Sequence, residues 1–102
     1  MAQTLIWATT ALRDIAEIAD YIRKDVPQYA DVMVERFLAL GPSIKDFPHL
    51  GRMVPEYRDP NLRERFIHSY RVLYRLEPQQ ISVIAVIHGK RLLEDALEGR
   101  NP

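Results

Sequence analysis

The sequence predicts an α+β fold in the order β-α-α-β-β-β-α, with a helical hairpin packed on a mostly antiparallel sheet and a short C-terminal helix. Three observations predict it. Two consecutive segments in the first half carry apolar side chains at helical spacing. Three β-prone runs follow them, LRERFIHS, YRVLYRL and ISVIAVIH. Helical and strand-rich segments are therefore segregated along the chain, which favours helices gathered on one face of a sheet over alternating βαβ units.

The first element is the short apolar run Thr4 to Ala8, TLIWA, read as a strand. Thr9 or Thr10 can N-cap the helix that follows, because a hydroxyl there satisfies an orphan backbone N–H. In ALRDIAEIADYIRKD the residues Leu12, Ile15, Ile18, Ala19 and Ile22 form an apolar stripe, with Arg13, Asp14, Glu17, Asp20 and Arg23 opposite. Pro27 stops this helix and suits the first turn of the next. The second helix takes its stripe from Ala30, Met33, Val34, Phe37 and Leu38. Gly41-Pro42 is expected to kink or break it, since proline removes a helix hydrogen bond and clashes one turn back. Pro48 to Asn61 has three prolines, a glycine and no periodicity, so a loop of functional length is expected there.

Residues 62–68 read as a strand, and the turn Glu77-Pro78-Gln79-Gln80 joins the next two runs into a hairpin. Alternation places Tyr70, Val72, Tyr74 and Leu76 on one face, and Arg71, Leu73 and Arg75 on the other. ISVIAVI has almost no polar interruption and is expected to be the central strand, covered on both faces. The opening strand is expected to pair beside a later one, because five residues cannot satisfy their backbone alone. LLEDALEGR reads as a terminal helix closed by Gly99.

A chain of 102 residues supports one domain, expected to span residues 1–102. Cysteine is absent, which excludes disulfides, thiolate metal sites and cysteine nucleophiles. The three histidines lack His-x-x-x-His spacing, so no metal site is expected. No signal-peptide pattern opens the sequence and no apolar run reaches spanning length, so a cytoplasmic protein that does not engage the membrane is expected. Net charge is zero, which weighs against a protein held on nucleic acid by phosphate contacts. The charge is uneven, however. Residues 63–91 carry a net +4, from six basic and two acidic side chains, whereas the first 48 carry −2. The positive field is local and sits on the strand-rich half.

In order along the chain stand Trp7; Ala11-Leu12-Arg13-Asp14-Ile15 with Tyr21-Ile22; Pro27 and Ala30; Phe47-Pro48-His49-Leu50-Gly51-Arg52; Leu62-Arg63-Glu64; Tyr70-Arg71-Val72-Leu73-Tyr74-Arg75; and Val86-Ile87-His88-Gly89-Lys90-Arg91. Their order and spacing over nearly the whole length resemble the RelE/ParE superfamily of type II toxin–antitoxin modules, also known as plasmid stabilisation proteins. The resemblance implies a growth-inhibiting toxin with no cofactor, held inactive in a hetero-oligomer by a cognate antitoxin. It leaves two targets open. ParE-like members bind DNA gyrase and block replication, whereas RelE-like members cleave mRNA on the ribosome. The ending Val86-Ile87-His88 followed by a short helix is closer to the ParE-like branch.

For the ribonuclease reading, cleavage through the RNA's own 2′-hydroxyl needs a base, a cation at the phosphorane and an acid at the leaving oxygen. Glu56 or His88 could be the base, Arg71 with Arg65 the cations, and His88 or a tyrosine the acid. Arg71 falls where ribonuclease-type relatives carry an arginine. The end departs from them, since Leu92 to Leu97 contains no aromatic residue. For the gyrase reading, the expected target surface is Arg52, Arg71, Arg75, His88, Lys90 and Arg91, because arginines and aromatic groups are common interface anchors. The plainer roles are a hydrogen-bonded structural His88, edge charges or buried ion pairs at Arg71 and Arg75, a turn at Gly51, and core positions for Trp7, Tyr70 and Tyr74.

Overall fold

The computed structural model describes residues 3–91 and 93–100. Its elements are β1 (Thr4–Trp7), α1 (Thr9–Arg23), α2 (Pro27–Asp46), β2 (Arg52–Met53), β3 (Leu62–Ile67), β4 (Tyr70–Leu76), β5 (Gln80–His88) and α3 (Leu93–Ala96). The strands form one sheet in the order β1-β5-β4-β3-β2. β1 runs parallel to β5, and the other pairings are antiparallel. The predicted α+β architecture is thus present, with one strand added.

That strand, β2, lies inside the stretch expected to be loop. Its two residues pair with Arg63 and Glu64 of β3, a pairing too short to leave a periodic trace in sequence. The expected break at Gly41-Pro42 is also absent, and α2 runs through to Asp46. The carbonyl that Pro42 leaves unbonded is that of Leu38, and both residues face solvent, where water can take its place. β5 is buried from Ile81 to Ile87 as expected, but β4 holds the middle of the sheet because, among the described residues, β1 alone lies outside β5.

Two apolar layers follow from the alternation along β4 and β5. On one face, Val72, Tyr74, Ile81, Val83 and Val86 pack under Ala11 and Ile15 of α1 and Met33, Phe37 and Ile44 of α2. On the far face, Leu73, Ala85 and Ile87 pack with Val54, Leu62 and the C-terminal Leu93, Ala96 and Leu97. The predicted split of β4 side chains is the split observed. Gly99 closes the C-terminal segment with φ +78, a left-handed turn that suits glycine.

A bulge in β5 ties the two layers together. Leu73 pairs with Ala85 and Tyr74 with Val83, so Ile84 is an extra residue opposite no partner. Its carbonyl accepts from the Thr10 hydroxyl at 3.0 Å and from Arg100 Nη1 at 3.2 Å. The Val86 N–H donates to Asp14 Oδ2 at 3.0 Å, and Arg100 grips the same carboxylate through both Nη atoms at 2.7 Å. Two sequence expectations are corrected here. Neither threonine caps α1, which starts behind Ala8 with no side-chain cap, and Thr10 serves the bulge instead. Asp14 lies not on the solvent face but buried against β5. Asp14→Ala is expected to cost about 1.5 kcal/mol, because it strands a buried backbone donor and a guanidinium. Urea melts with an unchanged m-value would record it.

Among the described residues no helix is long and apolar enough to cross a membrane.

Candidate functional site

The far face of the sheet holds a cluster of charged groups set by strand register. Glu64 of β3 lies beside Arg52 of β2 on one side and Leu73 of β4 on the other, while Phe66 lies beside Arg71. These side chains project to the same face because β-strand residues alternate. Glu64 is fully buried. It accepts from Arg71 Nε at one carboxylate oxygen and from Arg52 Nε, at 2.7 Å, at the other. Arg71 is 7% exposed, so its charge needs these partners. Its remaining two nitrogens fork onto Glu56 at 2.7 and 2.9 Å. Arg52 also lies over the half-exposed Phe66 ring, 5.1 Å from its centroid.

Glu56 comes from the Pro48–Asn61 segment, which the sheet pins at several other points. Tyr74 donates from its hydroxyl to the Pro48 carbonyl at 2.7 Å and accepts from the Gly51 N–H at 3.2 Å. Arg63 donates to the carbonyls of Pro60 and Gly51. Arg75 pairs with Asp59 at 3.1 Å, and the Val54 N–H donates to Leu62. Arg63, Arg71 and Arg75, three of the six basic residues of the +4 segment, are therefore engaged in holding the chain's own loop.

The groups considered for RNA cleavage do not converge. Arg71 and Glu56 lie together on the far face. Arg65 alternates to the helix face, where it donates to the Ser43 hydroxyl of α2 at 3.1 Å. His88 pairs with Tyr70 on that same face, their rings edge to face at 5.3 Å. The Lys90 N–H donates to His88 Nδ1 at 3.1 Å, which places the proton of a neutral ring on Nε2. Of the six target-surface residues, Arg52, Arg71 and Arg75 share the far face, whereas exposed His88, Lys90 and Arg91 cluster where β5 ends.

Sequence reasoning missed Glu64, the buried hub of the cluster. Its signal was available, since alternation from Leu62 puts Glu64 on the same face as an apolar residue. It also missed Phe66 and Asp59.

The Arg71 fork holds the Glu56 carboxyl below its ordinary value of 4.5, outweighing the opposite effect of burial. A depressed carboxyl adds stability above its unfolded value, and that contribution disappears as pH falls through the folded one. The stability gap between wild type and Glu56→Gln should therefore be complete at pH 7 and close below pH 4.5. Paired denaturant melts across pH 3 to 7 check this; a gap that widened in acid would contradict it. Glu56 is 43% exposed at its side chain, so solvent keeps the gap small.

Two concavities flank the hairpin. One, of about 320 Å³, lies between the helices and is lined by Leu12, Ala16, Ala19, Val34 and Leu38. The other, of about 400 Å³, lies between α1 and the end of β5 and carries Glu17, Tyr21, Tyr70, His88 and Arg91. Among the described residues no group of three or more histidines and carboxylates is placed to hold a metal ion.

Comparison with known proteins gives a consistent result. Toxin RelE2 of Caulobacter vibrioides is 29% identical over 93 residues, covering 90% of this chain and all of that one. The chromosomal ParDE toxin–antitoxin system from P. aeruginosa contains a chain of similar fold, with TM-score 0.73 at 17% identity over 85% of this chain and 96% of that one. The toxin–antitoxin complex RelBE2 from Mycobacterium tuberculosis contains another, with TM-score 0.54 at 22% identity over 86% and 99%. Residues 5–93 match the family described as the ParE toxin of the type II toxin–antitoxin system parDE, and the chain belongs to that family.

Proposed function

We propose that this toxin stops growth by binding DNA gyrase and blocking replication, without catalysis of its own. The observation that supports this reading is the division of the candidate catalytic groups between two faces of the sheet. Glu56 and Arg71 project from one face, Arg65 and His88 from the other. A base, a cation and an acid must reach one phosphodiester together, and this set cannot. A binding inhibitor needs only a shaped surface with anchors. Exposed Arg52 beside Phe66, and Lys90 with Arg91, supply such anchors. The chain's zero net charge also suits a protein target better than a nucleic acid.

A cognate antitoxin completes the proposal. The apolar groove between α1 and α2 fits the nonpolar side of a partner helix, and the unpaired edge of β1 can accept an added strand. Binding there buries Leu12 and Leu38, which are otherwise exposed.

Inducing the protein alone, with DNA replication and protein synthesis followed separately, tests the mechanism. Arrest of replication with a DNA-damage response and intact transcripts is the expected result. Early loss of translation with cleaved messages would overturn it in favour of ribosome-dependent mRNA cleavage.

A further inference from the structure

The far-face cluster contains more cation than its buried part can balance. Arg52 and Arg71 both lean on one carboxylate, that of fully buried Glu64. Two guanidinium groups on one anion leave a charge of +1, so the position calls for a second anion. The chain supplies it from Glu56, a residue in the turn after Val54 whose side chain is 43% exposed. The contrast between the two carboxylates is physical. Glu64 is fixed in a strand with both oxygens engaged, whereas among the described residues the Glu56 carboxylate takes its side-chain hydrogen bonds from Arg71.

The loop does not depend on that contact. Val54 is buried and bonded to Leu62, and Tyr74, Arg63 and Arg75 fasten the segment on either side of Glu56. Withdrawing the Glu56 side chain into solvent would leave these attachments in place. It would also expose a guanidinium edge with two parallel N–H donors, the geometry that receives a carboxylate in bidentate fashion.

We propose that the Arg71 fork is a carboxylate seat in which Glu56 is the resident, exchangeable occupant, and that an aspartate or glutamate side chain of a protein partner takes its place when the far face is engaged. The exchange swaps one carboxylate for another, so the seat is neutral before and after it and carries +1 only while open. A nucleic-acid strand would bring a continuing run of phosphates, which a locally neutral cluster on a chain of zero net charge is poorly suited to hold. Phe66 and the exposed part of Arg52, beside the seat, give the incoming segment an apolar and a cationic neighbour.

Arginine side-chain NMR on the purified protein tests this, using acetate as the probe and a short single-stranded RNA oligonucleotide as the competing one. In Glu56→Ala, acetate should shift the Arg71 Nε–H resonance saturably, with a midpoint about tenfold lower than in wild type. Glu56→Gln, which keeps the size of the side chain, should show the same gain, and both variants should melt close to wild type. Combining Glu56→Ala with Arg71→Lys removes the Arg71 resonance, so the Arg52 Nε–H, which shares Glu64 with the seat, is followed instead, and acetate should leave it unmoved because an ammonium has no fork. The proposal is overturned if acetate gives no saturable shift in either folded variant. It is equally overturned if both variants lose the native fold, which would make Glu56 a structural strut, or if the oligonucleotide occupies the seat and acetate does not.

Discussion

Arg71→Ala is expected to destabilise the protein by about 3 kcal/mol, at the low end of what removing one member of a buried ion pair costs. Glu64 would remain in the interior with only Arg52 to balance it, and Glu56 would lose its side-chain partner. Chemical denaturation of the purified variant measures the loss, and a change below about 1 kcal/mol would mean the pair is effectively solvated. The size of the effect bears on how killing assays are read. Weak toxicity in Arg71→Ala is expected from unfolding alone and does not identify a contact with the target. Arg52→Ala is the cleaner probe of the same face, since 58% of that side chain is already in solvent.

Gly51→Ala is the second large effect, at about 2–3 kcal/mol by the usual cost of overpacking a closed site. A β-carbon at Gly51 would meet the Tyr74 hydroxyl and would lie 2.7 Å from the backbone carbonyl of Glu64. The hydroxyl sits at the end of a ring that is itself fully buried, and the carbonyl belongs to a paired strand, so neither has room to retreat. Adding Tyr74→Phe to Gly51→Ala should recover part of the loss but not all of it, because the carbonyl clash persists. Thermal melts of the single and double variants decide this. Full recovery would assign the whole effect to the hydroxyl.

Much of the architecture was legible in the sequence because hydrophobic periodicity reports the element type, even where the ends of a stripe, Leu12 and Leu38, stay exposed. The stripes from Leu12 to Ile22 and from Ala30 to Leu38 marked the hairpin, and the alternation in YRVLYRL sorted β4 onto its two faces. What periodicity cannot report is where a polar side chain finds its partner. Asp14 was read as solvent-facing because it is charged, although it stands three residues after buried Ala11 and four before Ile18. Its partners, the Val86 N–H and Arg100, are 72 and 86 residues away in sequence. The same blindness applied to the site. Arg71 and Arg75 were read as target-surface residues, or more plainly as edge charges or buried ion pairs, within a segment of net +4. The carboxylates that occupy them come from Glu56 and Asp59 in an aperiodic loop and from Glu64 two residues after an apolar position. Glu56 was singled out as a base, and Arg71 as the cation beside it, yet the bidentate pairing of the two had no local signature. The proline at position 42 misled for a related reason, since its cost depends on whether the orphaned carbonyl faces water.

The parallel pairing of β1 with β5 has a consequence for synthesis. Thr4 sits opposite Gln80 and Trp7 opposite Val83, so the opening segment has no place to dock until the penultimate stretch has left the ribosome. Contacts spanning so much of the chain are slow to form and make assembly a late event. The β-layer of this chain therefore cannot close until β5 has been made, and until then the opening strand waits without its partner.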